Sequence, residues 1–256
     1  MTGFRTMLRK ELVEAWRTRR LPVIGILFVV VGIISPLTAR YLSEILAATM
    51  GDQLPMSLPV PTTVDALGQL QKNLGQLGAV AAIALAMGSV SGELDRGTAA
   101  LVLAQPVRRP AFLLAKLAGI ALVLAAGVVL ATAVAWVYTA ILFEPLPVGG
   151  WAVMACLAWL ALMAWAGITF LASAATASTT FAAGIGFVAL IGISVASIVP
   201  ALDRLLPTGL SAPAIAVASG APIGDVGNLA TAIAGTVALV AACAAGAILA
   251  FRQREL

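Results

Sequence analysis

Apolar runs of about twenty residues alternate with short charged clusters along this chain, and at that length each run predicts a helix able to cross a membrane. The first twenty residues, MTGFRTMLRKELVEAWRTRR, follow another pattern: Phe4, Met7, Leu8, Leu12, Val13 and Trp16 fall near one helical face, with arginines, Lys10, Glu11 and Glu14 around the rest. This predicts an amphipathic helix in the membrane interface, held by Phe4, Leu8, Leu12 and Trp16 and by Arg17, Arg19 and Arg20 against anionic lipid. Six spans are expected after it, at about 21–39, 74–90, 117–140, 151–172, 181–199 and 228–251. The fourth and fifth rest on 58 uncharged residues from Pro145 to Leu202, too many for one helix, with the break placed at SAATASTT, Ser173 to Thr180.

The connections are read from their breakers. Pro36 is expected to bend or end the first span, with Tyr41 to Met50 lying along the interface beyond it. Pro207 to Ser219 is apolar yet interrupted by Pro213 and closed by Gly220, which predicts a short helix or a re-entrant pair before the last span. A cleaved signal peptide would need a small-residue cleavage site and no acids in its basic region. Here Glu11 and Glu14 stand in that region and the apolar stretch runs 19 residues, so it is read as the first span.

Composition agrees with the pattern: 61% of residues are hydrophobic, 10% are charged, and the mean hydropathy is +1.06, which excludes an ordinary soluble domain. The fold class expected is all-α integral membrane, a single transmembrane domain over residues 1–256. The net charge of +4 does not indicate nucleic acid, because the basic residues sit beside spans. With the N-terminus inside, twelve lysines and arginines fall on the inner side and three, Arg40, Lys72 and Arg204, on the outer. This bias predicts a cell inner-membrane protein with both termini cytoplasmic. Cys156 and Cys243 lie within spans without metal-ligand spacing, and there is no histidine.

One charged island stands between the second and third spans, SGELDRGTAALVLAQPVRRPAFLLAK from Ser91 to Lys116. Glu93, Asp95, Arg96 and Gly97 read as a polar turn, Thr98 as the cap of a short helix to Ala104, and Pro106 as its stop. Arg108, Arg109 and Pro110 then start the next helix. Leu101 and Leu103 are too apolar for a free loop, so the short helix is expected to lie on the bilayer or in a groove of a partner. Gly88 and Gly92 form a GxxxG spacing that would let the second span pack closely on a neighbour.

Chemistry is sparse. The spans carry no carboxylate or histidine, so neither a catalytic or metal site nor a proton relay is expected. Ser89, Thr132, Thr139, Thr169, Ser194 and Ser197 are expected to bond backbone carbonyls. No GxxxxGK[ST] phosphate loop is present, and Lys10, Lys72 and Lys116 all lack its glycine context. Spans without fixed charge would suit an apolar or amphipathic molecule.

The order of features resembles the permease subunit of ATP-binding-cassette exporters of the ABC-2 class, with the type V exporter fold. The resemblance is carried by FRTMLRKELVEAWRTRR, SPLTARYLSEIL, the island with Glu93, Arg96, Gly97, Thr98 and the Pro106 to Arg109 turn, and the closing FRQREL. It implies a half-transporter whose pathway forms between two subunits, the second expected to be identical, above separate cytoplasmic ATPase subunits that bind ATP and magnesium. It further implies that the island is the coupling segment, contacting the ATPase through Glu93, Asp95, Arg96, Gly97, Thr98, Leu101, Leu103, Pro106, Arg108 and Arg109. The N-terminal helix would rest near the ATPase, and the outer helices would cap the pathway. This chain itself would carry no cofactor and no catalytic residue. The alternative is a non-transporting scaffold or immunity protein that binds a cytoplasmic partner.

Overall fold

The structure, a computed structural model, describes residues 3–50, 60–97, 108–144, 147–222 and 226–253. Among them every regular element is helical. Helix α1, Phe4–Arg17, stops at Thr18, whose backbone N–H and hydroxyl both donate to the Glu14 carbonyl, at 2.8 and 2.7 Å. Arg19 takes a left-handed conformation (φ 59°) and turns the chain into α2, Arg20–Met50.

α2 runs unbroken through Pro36, where the sequence reading ends a span near residue 39 and lays a second helix along the interface. The proline removes one intrahelical donor, but within a bilayer an unravelled backbone would find no replacement for many more. Side chains support the site: Ser35 Oγ donates to the Val31 carbonyl at 2.6 Å, and Asn73 Nδ2 donates to Ser35 Oγ at 2.8 Å.

Helix α3, Thr63–Asn73, opens with a reciprocal cap in which the Thr62 backbone N–H donates to Asp65 Oδ2 and the Asp65 N–H donates to Thr62 Oγ1. It passes through a π turn, Leu74–Gly78, into α4, Ala79–Met87; after a break at Gly88 to Val90 comes α5, Ser91–Asp95. Helix α6, Arg109–Leu142, starts eight residues before the expected span, with Pro110 in its first turn. Helices α7, Val148–Ala175, and α8, Thr179–Ala196, meet at a turn inside SAATASTT, where Ser178 Oγ accepts from the Phe181 N–H. Beyond α8 lie α9, Pro200–Asp203, a 3-10 turn, Pro207–Leu210, and α10, Ser211–Ser219. Gly220 (φ 73°) ends α10: its N–H reaches the Val217 carbonyl while that of Ala221 reaches Ala216. Helix α11 is Val226–Arg252.

Six of these segments are long and apolar enough to cross a membrane, α3 to α5 counting as one. α7 is central, packing on α4, α6, α8, α10 and α11. Phe28, Leu67, Leu124, Met154, Leu162 and Phe170 are core side chains almost wholly enclosed. The tight helix approaches fall at glycines other than Gly88 and Gly92. Gly127 lies against the Phe28 ring, and Gly32 against the Ala131 backbone. A Gly88 side chain would make ordinary contact with Thr179, and one at Gly92 would meet Arg96 of its own segment, so the GxxxG spacing joins no pair of helices closely. Ser89, Thr132, Thr169, Ser194 and Ser197 each donate to a backbone carbonyl three or four residues back, whereas the buried Thr139 hydroxyl has no partner among the described residues.

Candidate functional site at the end holding both termini

Both ends of the chain and both flanks of the island meet at one end of the bundle. From α1 come Met7, buried, with Phe4 and Leu8 packed on the core, while Trp16 is 65% exposed. Leu12 is half-buried, and Arg17, Arg19 and Arg20 are exposed at the α1–α2 corner. The residues of α1 read from sequence as one apolar face are therefore split, with Phe4, Met7 and Leu8 on the bundle and Val13 and Trp16 exposed.

Its polar side is a surprise. Lys116, counted from sequence as the last residue of the charged island, lies two turns inside α6 and is only 3% exposed. Its Nζ donates to Glu11 Oε1 at 3.0 Å and to Glu93 Oε1 at 2.9 Å. Lys10 adds a second ammonium, 3.0 Å from Glu93 Oε1, 3.7 Å from Glu11 and 3.5 Å from Glu14. The cluster therefore joins α1, α5 and α6. Gly119 permits it, because the Glu11 side chain lies against the bare Cα one turn beyond Lys116. Glu11, Glu14 and Glu93 bring carboxylate oxygens within 4.8 Å of one another, but the two ammonium groups stand among them and answer most of that charge. The set is an ion-pair network rather than a metal cradle.

Lys10 lies outside the spans. Burial works against its ammonium, but the Glu93 hydrogen bond and the Glu93, Glu11 and Glu14 charges outweigh burial and raise its pKa above 10.5.

The network continues to the last span. Lys116 Nζ sits 5.1 Å from the centre of the Phe112 ring, which stacks on Phe251 of α11 at 5.8 Å. Arg109 Nη1 donates to the Arg252 carbonyl at 3.2 Å. On the other flank, the N–H groups freed at the α4–α5 break, those of Val90 and Ser91, both donate to Ser173 Oγ of α7, and Ser91 Oγ lies 3.2 Å from Thr179 Oγ1 of α8.

Of the residues assigned from sequence to partner contact, Glu93 is engaged inside the chain, its carboxylate shared by Lys10 and Lys116. Asp95, Arg96, Gly97 and Arg108 are exposed, with Gly97 left-handed at φ 68°. Thr98, Leu101, Leu103 and Pro106 lie outside the described residues. Sequence reasoning missed Glu11, Lys116, Phe112 and Phe251 as one site. The available signal was a lysine two turns into an otherwise uncharged span, which a membrane tolerates only with a partner.

A sequence model described as ABC-2 family transporter protein matches residues 5–207. An uncharacterized transmembrane protein of Bacillus subtilis (strain 168), YxlG, is 27% identical over 205 residues, 79% of this chain and 77% of its own length.

Proposed function

The chain belongs to the ABC-2 transporter family, and from that membership we propose that it is the membrane subunit of an ATP-driven exporter, working as a pair above separate ATPase subunits. A membrane transport subunit follows from the family and the six spans. Export, the ATPase and the pair are the proposal.

The observation that carries it is the network at the end holding both termini. The described chain is anchored on both sides of residues 98–107, at Glu93 before and at Arg109 and Lys116 after, and these anchors are tied to α1 and to the end of α11. A push on that segment would reach α1, α6 and α11 through charged contacts that do not stretch easily, while Ser173 and Thr179 would carry it to α7 and α8. This is the construction expected where a cytoplasmic ATPase drives the spans. On this reading the end with both termini is cytoplasmic, Asp95, Arg96 and Arg108 form the charged rim of the contact, and Leu101 and Leu103 its apolar centre. The cell membrane is the expected location, and no cofactor is assigned to this chain.

The second copy would use surface that one chain leaves bare. On α8, Phe181, Val188, Ile191 and Val195 are exposed on one side, with Gly184 and Gly192 open between them, and Ile198 just past the helix end is exposed as well.

The test is whether a cytoplasmic ATPase co-purifies with the chain, followed by reconstitution of the complex. Leu101→Asp and Leu103→Asp should release the ATPase, because each would bury an unpaired charge, while the chain keeps its thermal stability. Full ATPase binding and coupling by both variants would overturn the docking role of the island. Binding without any ATP hydrolysis in the reconstituted complex would instead favour the non-transporting scaffold.

A further inference from the structure

A pocket of about 370 Å3 lies toward the opposite end of the bundle, walled by α3 and the π turn, α7, α8 and the segment from Pro207 to Ile215. That size lies at the lower end of the range for small-molecule sites, on the order of 300–1,000 Å3. Its walls are of two kinds. Leu157, Leu162 and Trp165 of α7 with Leu190 of α8 make an apolar side, while Gln71, Lys72, Gln76 and Thr208 bring polar groups to the other.

Three features point to an occupant. Gln71 is 8% exposed and lines the pocket, and its amide has no hydrogen-bond partner among the described residues, which leaves its donors and acceptor available to an occupant. Lys72, the only cation among the described residues that line the pocket, is exposed, and no described carboxylate pairs with it. The π turn inserts one extra residue into a segment long and apolar enough to cross a membrane, and leaves Gly75 and the Gln76 amide exposed on the pocket wall.

We propose that this pocket binds an amphipathic anion, its apolar chain along Leu162 and Trp165, its acidic head on Lys72 and hydrogen-bonded by Gln71. That the same molecule is cargo rests on the exporter reading; the site itself does not. The binding experiment therefore uses this chain alone, without ATPase, and its failure leaves the exporter reading standing.

The acid could arrive as a single-chain amphipath or as an anionic phospholipid, and bromine quenching of Trp165 separates the two. The full chain in phosphatidylcholine nanodiscs is titrated with dodecanoate brominated at its far end, or prepared with phosphatidylglycerol brominated on its chains; Trp165→Phe supplies the background of the other tryptophans. Saturable quenching of the Trp165 component is expected from the acid that fits, about tenfold weaker binding in Lys72→Gln, and several-fold weaker in Gln71→Leu. Lys72→Glu should reverse the preference toward bromododecylamine, a readout that a folding defect would not give. Quenching by acid and amine alike, quenching that grows without saturation in both arms, or unchanged binding in Lys72→Gln would overturn the proposal.

Discussion

Lys116 shows how much one residue can hold. It is nearly enclosed and serves two carboxylates, so Lys116→Ala leaves Glu11 and Glu93 charged with their main counter-ion gone. Breaking a buried pair from one side costs roughly 3–5 kcal/mol, and a large fall in thermal midpoint in detergent is expected. Lys10 is 40% exposed at its side chain, and Lys10→Ala should cost below about 1 kcal/mol. Equal losses from the two variants would show that the network is not centred on Lys116. The sign of the Lys10 pH dependence also follows. Its folded pKa lies above 10.5, so its stabilisation is complete below that value and is lost only as pH rises through the folded pKa. The thermal midpoint of the wild type minus that of Lys10→Ala should stay constant from neutral to mildly alkaline pH.

Among the elements, the segment from Thr63 to Met87 carries the sharpest expectation. The π turn is in effect one residue inserted into an α-helix, so deletion of Gly75 should restore the α register without uncoupling the ends. The deleted chain should keep a thermal midpoint near that of the parent yet lose the pocket wall, which the Trp165 quenching assay would read as weakened binding. Global unfolding on deletion would show instead that the turn is needed for packing. A second expectation concerns α2 and α6. A Cβ on Gly127 would lie 2.9 Å from Phe28 Cδ2 of a fully buried ring, so Gly127→Ala should cost about 1–3 kcal/mol, whereas Gly149→Ala, with open space around it, should cost far less. Thermal unfolding of the two variants side by side checks this.

The whole molecule has two chemically different ends. One gathers both termini, the ion-pair network and most of the arginines; the other holds α9, α10 and the mouth of the Lys72 pocket. If the basic end is cytoplasmic, a cysteine in place of the exposed Ser211 should react with an impermeant thiol reagent in intact cells and one at Thr98 should not. Cys156 is exposed within its span and is replaced beforehand. Labelling at Thr98 would invert the orientation. The pairing of subunits is tested at the same scale: a cysteine at Val188 should cross-link between copies if the bare α8 face meets its own kind, and its failure beside a successful cross-link elsewhere would move the interface.

Span number, the amphipathic start, the turn in SAATASTT and the helix start at Arg108 to Pro110 were legible in the sequence because each is a local matter. Hydrophobic length, helical periodicity, proline position and capping residues act over one or two turns. The tertiary structure decided what lay between distant residues. The pairing of Lys116 with Glu11 and Glu93 joins positions 105 and 23 residues apart, and no periodicity marks it. Pro36 reads locally as a breaker, yet α2 continues through it because the bilayer penalises an open backbone more than it penalises one missing hydrogen bond. Gly88 and Gly92 have the spacing of a packing motif, but which glycine meets a neighbouring helix depends on how the helices rotate about their axes, and that rotation is set by the whole core. The pocket at Gln71 and Lys72 needs four segments at once, and only the assembled bundle brings them together.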